Sequence, residues 1–210
     1  LRPLVDGCFL IVHADAGDDE ESKIQQGFAI APVPLNLAGK NCALVGLGSY
    51  IVNAQSLCND CHNAGPGGTS GYLPSGNPYL LPPPLGPYLG RKVINQATYL
   101  GGGRDFGAFP AEPFPHIISR NLTPDKTGRP EGGQTLSEFI QIMRTGVDMD
   151  NLHPTCTGVP NGHCLPPPFD GSRLQIMPWA GFQSMTNRDL EAIYEYLSAI
   201  PCIAGPPAPD

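Results

Sequence analysis

The stretch Cys58-Asn59-Asp60-Cys61-His62 determines how the rest of the chain is interpreted. Two thiols three positions apart, followed directly by a histidine, are the attachment pattern of a c-type haem. The cysteines add to the two vinyl groups of one porphyrin, and the imidazole that follows binds the iron through one ring nitrogen. The other nitrogen normally donates to a backbone carbonyl, which fixes the orientation of the ring. The sequence therefore predicts one covalently attached haem c.

Two other kinds of site also use closely spaced cysteines. A thioredoxin-like redox pair needs a βαβ setting, and the flanking sequence does not supply one. A structural zinc site needs a second ligand pair at similar spacing, which the chain lacks. Chance gives about 0.005 such five-residue runs in 210 residues with 7 Cys and 5 His. Haem attachment is therefore the favoured interpretation.

The composition indicates a loop-rich globular protein with few helices. Glycine and proline contribute 26 and 25 of the 210 residues, which is at the edge of the range of disordered chains. A hydrophobic content of 40% with only 15% charged residues is nevertheless too apolar for a chain without a core. We predict an N-terminal extension over residues 1–41, a monohaem domain over 42–202 and a C-terminal tail over 203–210.

Charge and hydropathy exclude some partners. The net charge is −7 and no basic run occurs, so a nucleic-acid partner is not expected. No apolar run approaches 18 residues, so no segment is expected to span a membrane. Attachment of haem c takes place outside the cytoplasm, and residues 1–10 lack the order of a signal peptide. We therefore expect a periplasmic or extracellular protein from which the signal peptide has been removed.

The five remaining cysteines are consistent with an oxidising compartment. Cys156 and Cys164 bracket a short loop and are predicted to form a disulfide. Cys8, Cys42 and Cys202 allow at most one further pair, whose identity the sequence leaves open. One thiol is left over, and an odd cysteine in an exported protein indicates an intermolecular bond or a free thiol.

Three helices are predicted from periodicity and capping signals. Apolar side chains recur at helical spacing over residues 42–54 and lead the chain into the cysteine run. A capping box over residues 135–138 begins a second helix, which Gly146 ends. A similar signal over residues 186–189 begins the third, which ends before Pro201.

The connecting stretches are predicted to be irregular. Residues 63–90 are rich in Gly and Pro and are interpreted as an ordered loop around the edge of the haem, with a flexible linker as the alternative. Residues 147–175 are irregular and rich in Pro. Residues 15–21 form an acidic, turn-rich patch that lacks the spacing of a calcium-binding loop and is interpreted as a solvated loop.

The occupant of the sixth iron position decides what a haem protein does. Methionine there gives a carrier with a raised potential, a second histidine lowers the potential, and an open position permits chemistry on small ligands. The candidates are the other histidines and the methionines, namely His13, His116, His153, His163, Met143, Met149, Met177 and Met185. Met177 is favoured because it lies in a loop directly before Pro178. Met143 and Met185 have the spacing of core side chains, and the histidines at 116, 153 and 163 stay open.

The order of these features resembles the class I cytochrome c domain. A helix precedes the cysteine run, long loops lead to Met177, and a helix closes the chain. Four stretches are similar to the cytochrome c subunits of periplasmic alcohol and sugar dehydrogenases, within about residues 39–201: 121–125 (Asn-Leu-Thr-Pro-Asp), 139–146, 177–179 (Met-Pro-Trp) and 189–197.

The resemblance implies a mostly α, class I cytochrome c core, enlarged by Pro- and Gly-rich loops. Its first and last helices would cross over the haem near Gly46 and Tyr194. The axial ligands would be His62 and Met177, with Cys58 and Cys61 holding the haem covalently.

The resemblance also assigns polar groups and a function. By analogy, Arg120 or Trp179 donates to a haem propionate, with ordinary surface and core roles as the alternative. The expected function is transfer of single electrons to or from a redox partner protein, such as a dehydrogenase or a terminal acceptor, with no catalytic residues. The alternatives are a haem enzyme or gas-binding protein with an open or labile sixth position, and a self-associating electron conduit joined through the odd cysteine or the loops.

Overall fold

The computed structural model of the chain describes residues 18–63, 94, 96–108, 116–148 and 172–203, together with the backbone of 3–5 and 8–9. Helices predominate in these residues, which confirms the predicted mostly α class. Six α-helices occur in them: α1 (Asp18–Ile30), α2 (Cys42–Tyr50), α3 (Pro130–Gly133), α4 (Leu136–Thr145), α5 (Trp179–Phe182) and α6 (Asn187–Leu197). Two antiparallel pairs of strands join β1 (Pro3–Val5) to β2 (Cys8–Phe9) and β3 (Asp105–Ala108) to β4 (His116–Ile118).

The predicted helix over residues 42–54 is confirmed, with a change of helical type partway along. Asn41 caps α2 by accepting a hydrogen bond from the backbone N–H of Leu44 at 3.3 Å. The helix then continues as a π-helix over Ile51–Gln55, in which the N–H of Ser56 bonds to the carbonyl of Ile51 at 2.8 Å. Such wide turns occur often beside functional sites, and this one leads directly into the cysteine run.

Helix α2 packs between α1 and α6 through its glycines. A Cβ atom on Gly48 would overlap the backbone of Ala192, so α2 and α6 are in backbone contact there. Gly46 faces α1 instead, where a Cβ atom would lie 2.8 Å from the carbonyl oxygen of Ile24. The predicted crossing of α2 and α6 is therefore wrong for Gly46, whose place is taken by Gly48, whereas on α6 the contact with Ala192 and Tyr196 lies on either side of Tyr194.

The prediction of a solvated acidic loop over residues 15–21 is wrong from residue 18 onward, because α1 begins at Asp18. Acidic side chains in the first turn of a helix are stabilised by its dipole. Asp19 also pairs with Lys23 at 2.6 Å, and the carboxylate of Glu20 binds Arg188 of α6. Residues 15–17 lie outside the described residues.

The other two predicted helices are confirmed together with their caps. The Thr135 hydroxyl accepts from the backbone N–H of Glu138, whose carboxylate accepts from Thr135 N at 2.7 Å. Thr186 and Asp189 form the same reciprocal pair at the start of α6. Helix α4 ends at Gly146, whose φ is 69°.

A buried polar cluster joins the π-helix to α6. The hydroxyl of Tyr99 donates to Asn53 Oδ1 at 2.6 Å and lies 2.9 Å from the hydroxyl of Tyr196. Asn53 donates to Tyr196 Oη at 3.2 Å and to Ser49 O at 3.0 Å. All four side chains are buried. Because buried polar groups are costly unless they are paired, these bonds hold the π-helix in place.

The cysteines are only partly described. Cys42 is disulfide-bonded, whereas the thiols of Cys58, Cys61 and Cys202 are free. The predicted disulfide between Cys156 and Cys164 lies outside the described residues. So does most of the two predicted loops, and the predicted division into extension, domain and tail stays a prediction. Among the described helices, none is long and apolar enough to cross a bilayer.

Candidate cofactor pocket

A mostly apolar pocket lies beside the cysteine run. The space between its walls, including open solvent at its mouth, is about 1090 Å³. The predicted haem-binding side chains, Cys58, Cys61, His62 and Met177, all line it. The two large hydrophobic side chains that are exposed among the described residues, Leu57 and Ile118, line it as well. A bound apolar molecule would cover both.

A tight turn presents the cysteines and the histidine to this pocket. Leu57 has a φ of 50°, which ends the preceding helix, and a 3₁₀-helix follows over Cys58–Asp60. The backbone N–H groups of Cys61 and His62 both bond to the carbonyl of Cys58, at 3.2 and 2.9 Å. Three reactive side chains are thereby collected on one turn.

Both cysteines carry protonated thiols. Burial raises the pKa of the Cys58 thiol to about 12. Burial also raises the pKa of Cys61, although the nearby Arg104 guanidinium acts in the opposite direction. A protonated thiol can add across a carbon–carbon double bond and form a thioether, so these two side chains could hold an unsaturated group covalently.

The imidazole of His62 is held in one tautomer. Its Nδ1 lies 2.8 Å from the backbone carbonyl oxygen of Arg120, which can only accept, so Nδ1 carries the proton. Burial lowers the pKa of His62, so the ring is neutral and the lone pair on Nε2 is available to a metal. This is the state that a histidine ligand needs, and a carbonyl partner is its usual support.

A glycine lies between the two segments that this hydrogen bond joins. The N–H of Gly102 bonds to the carbonyl of His62 at 2.9 Å. Gly102 has a φ of 68°, and a Cβ atom on it would overlap the backbone of Arg120 and Asn121. Only glycine therefore allows the Arg120 carbonyl to approach the imidazole this closely.

The segment that carries Met177 reaches the pocket from the end of α4. The N–H of Leu174 bonds to the carbonyl of Gly146, and the N–H of Asp148 bonds to that of Ser172, both at 2.8 Å. Met177 is half-buried and its carbonyl accepts from the N–H of Trp179 at 2.8 Å. Two segments far apart in sequence thus meet at one pocket.

The other candidates for the sixth position differ in their surroundings. Met143 of α4 is buried and also lines the pocket. Met185 is half-buried and packs against the core. His116 is exposed, and its Nδ1 lies 2.7 Å from the carboxylate of Asp105. The remaining four, His13, Met149, His153 and His163, lie outside the described residues.

Polar groups in the pocket wall are few. Arg120 lines the pocket, and its guanidinium is paired with Asp148. The indole N–H of Trp179 donates to the carbonyl of Leu174 at 3.2 Å, and a propionate role for Arg120 or Trp179 stays a prediction. The sequence reasoning missed Glu131 and Gln175, which also line the wall. Neither lies in a motif that would have singled it out.

Comparison with known proteins adds no family assignment. The chain matches none of the models of known protein families and none of the curated proteins. Within the described residues, no group of three or more His, Cys, Asp or Glu side chains gathers as it would around a metal ion. A function for this protein is therefore inferred from the pocket and its side chains.

Proposed function

We propose that the protein is a single-electron carrier built around one haem c. Cys58 and Cys61 attach the haem, and His62 and Met177 bind its iron. One observation supports the proposal above the others: four side chains chosen from the sequence alone, on two distant segments, line the same apolar pocket.

The chemistry of the donors fits a haem. The thiols of Cys58 and Cys61 are free and protonated, and Nε2 of His62 carries the lone pair. A haem in the pocket would supply a one-electron couple at its iron. The chain supplies the ligands, holds the imidazole through the Arg120 carbonyl, and keeps water away with apolar walls, which favour the less charged, reduced state.

Charge and compartment suggest the kind of partner. With a net charge of −7, the protein would be steered toward a basic patch on a redox partner, such as a dehydrogenase or a terminal acceptor. We place it in the periplasm or outside the cell, where haem c is attached. No group on the protein needs to act as a catalyst in this function.

The test starts with protein made in a host that attaches haem c. We expect haem to remain bound after denaturation and to be lost when Cys58 and Cys61 are both changed to Ala. The oxidised protein should show the weak long-wavelength sulfur-to-iron band. Met177→Ala should abolish that band, whereas Met143→Leu, a matched change in the same pocket, should keep it. A protein without covalent haem would contradict the proposal.

A second candidate is a haem enzyme with an open or labile sixth position. It is favoured by the buried side chain of Glu131 in the pocket wall, because activation of a bound peroxide needs an acid–base group nearby. This function requires an iron that binds carbon monoxide or cyanide while the fold stays intact. A six-coordinate spectrum whose sulfur-to-iron band is unchanged by added cyanide would exclude it.

A further inference from the structure

The indole ring of Trp179 lies directly against the backbone of Gly146. Gly146 ends α4 with a φ of 69°, in the left-handed region that favours glycine. A Cβ atom on Gly146 would overlap the Trp179 ring. The ring therefore fills the space that the side chain of any other residue would occupy.

Further contacts hold the same ring and the end of α4 together. The Trp179 indole N–H donates to the carbonyl of Leu174, whose own N–H bonds to the carbonyl of Gly146. The guanidinium of Arg173 lies 5.6 Å from the centre of the Trp179 ring and donates to the carbonyl of Thr145 at 2.9 Å. Ring, backbone and cation thus fix the segment over residues 172–179 to α4.

Met177 lies inside this fixed segment, two residues before the ring. Its neighbour Pro178 has no N–H to contribute, and the bond from the backbone N–H of Trp179 to the carbonyl of Met177 ties the methionine backbone to that of Trp179. A thioether is a weak ligand, so its occupancy depends on how much conformational freedom is lost when it binds. A segment that is already ordered has less freedom to lose, and binding is correspondingly tighter.

We propose that the Gly146–Trp179 contact positions Met177 as the sixth ligand. Both are positioning residues, since neither binds the iron. The inference rests on the proposed function and deepens it: the contact decides whether the sixth position stays closed to external ligands. The Gly146–Trp179 contact would thus act together with Met177 to keep external ligands off the iron.

The experiment measures how tightly the oxidised holoprotein binds exogenous imidazole, which competes for the sixth position. Gly146→Ala displaces the ring, and we expect it to bind imidazole about tenfold more tightly than the wild type and to weaken the sulfur-to-iron band. Trp179→Ala removes the ring, leaves Gly146 unchanged, and is expected to do the same. It serves as the test if Gly146→Ala does not fold.

The matched control is Gly128→Ala. Gly128 has a φ of 78°, so alanine introduces the same left-handed strain, but no atom lies within 4 Å of the added Cβ. Its imidazole affinity should equal that of the wild type. If the wild type has the sulfur-to-iron band and both variants bind imidazole as weakly as it does, the inference alone is overturned. A wild type without the band overturns the methionine ligand itself, and the inference with it.

Discussion

The imidazole Nδ1 of His62 lies 2.8 Å from the backbone carbonyl of Arg120, a residue that follows it by 58 positions. A backbone acceptor cannot rotate away as a side chain can, so the orientation of the ring depends on the path of the 116–120 segment. Gly102 sets how closely that segment approaches, because it lies between the two backbones. Gly102 therefore helps to set the orientation of the His62 ring, although it has no side chain that could contact the ring.

The first prediction concerns Gly102→Ala. The added Cβ pushes the Arg120 peptide away, weakens the hydrogen bond and makes the imidazole a poorer donor to ferric iron. We expect the reduction potential to rise by about 20–60 mV, the equivalent of a bond worth about 0.5–1.5 kcal/mol. Redox titration of the holoprotein measures this shift.

Two glycines nearby provide controls for Gly102→Ala. Gly107 has a φ of 85° with no atom within 4 Å of an added Cβ, so Gly107→Ala reproduces the backbone strain alone. In Gly101→Ala, the nearest atom to the new Cβ is a side-chain carbon of Ile203 at 3.2 Å. Both should keep the wild-type potential. Equal potentials in all three variants would show that Gly102 does not control the hydrogen bond.

The second prediction concerns the buried polar cluster. Tyr99→Phe removes the hydroxyl that donates to Asn53 and leaves the Asn53 oxygen without that donor in a buried site. We expect the free energy of unfolding to fall by about 1–3 kcal/mol, measured by urea denaturation. Tyr194→Phe is the control, since its half-buried hydroxyl donates to a backbone carbonyl, that of Gln134. Equal losses of unfolding free energy in both variants would show that the Tyr99 hydroxyl stabilises the fold no more than the Tyr194 hydroxyl does.

The third prediction is a pH dependence at the start of α4. The Thr135 hydroxyl and backbone N–H donate to the Glu138 carboxylate and hold its pKa below the ordinary value of 4.5. A carboxylate with a lowered pKa in the folded state contributes its full stabilisation above the unfolded pKa, and this is lost as the pH falls through the folded pKa. The melting temperature of the wild type should therefore exceed that of Glu138→Gln at neutral pH. The difference between the two should shrink below pH 4.5.

Helix α6 offers the control for that measurement. Glu191→Gln removes a carboxylate outside the capping box formed by Thr186 and Asp189. Its melting temperature should follow that of the wild type across the same pH range. A gap between wild type and Glu138→Gln that stayed constant from neutral pH to about pH 3 would mean that the carboxylate is not linked to folding.

Features set by neighbouring residues could be predicted from the sequence. The capping boxes at Thr135 and Thr186 act within one helical turn, so their spacing alone located α4 and α6. The cysteine run is equally local, because the thiol spacing that haem attachment would require is visible within five consecutive residues; the attachment itself stays a prediction. Met177 was predicted as a ligand because it directly precedes a loop proline and because of the resemblance. It lies in the pocket wall, while its role as a ligand stays a prediction.

Features set by contacts between distant segments could not be predicted. Glycines 46 and 48 were both visible in the sequence, but periodicity does not say which of them faces α6. The Arg120 carbonyl and Gly102 act through the backbone, which leaves no side-chain pattern to recognise. Helix α1 was missed because its acidic first turn is also typical of a solvated loop, and its packing against Gly46 was not visible locally.

The contact between Gly48 and Ala192 has a consequence for the order of folding. It joins α2 to α6, which lie far apart in sequence, so it closes a very long loop, and such contacts form late because their entropic cost comes before any gain. Helix α6 also contributes Ile193 and Leu197 to the pocket. The pocket is thus completed by an element far along the chain from Cys58 and Cys61, and we expect their thiols to stay accessible until α6 has been synthesised and has docked.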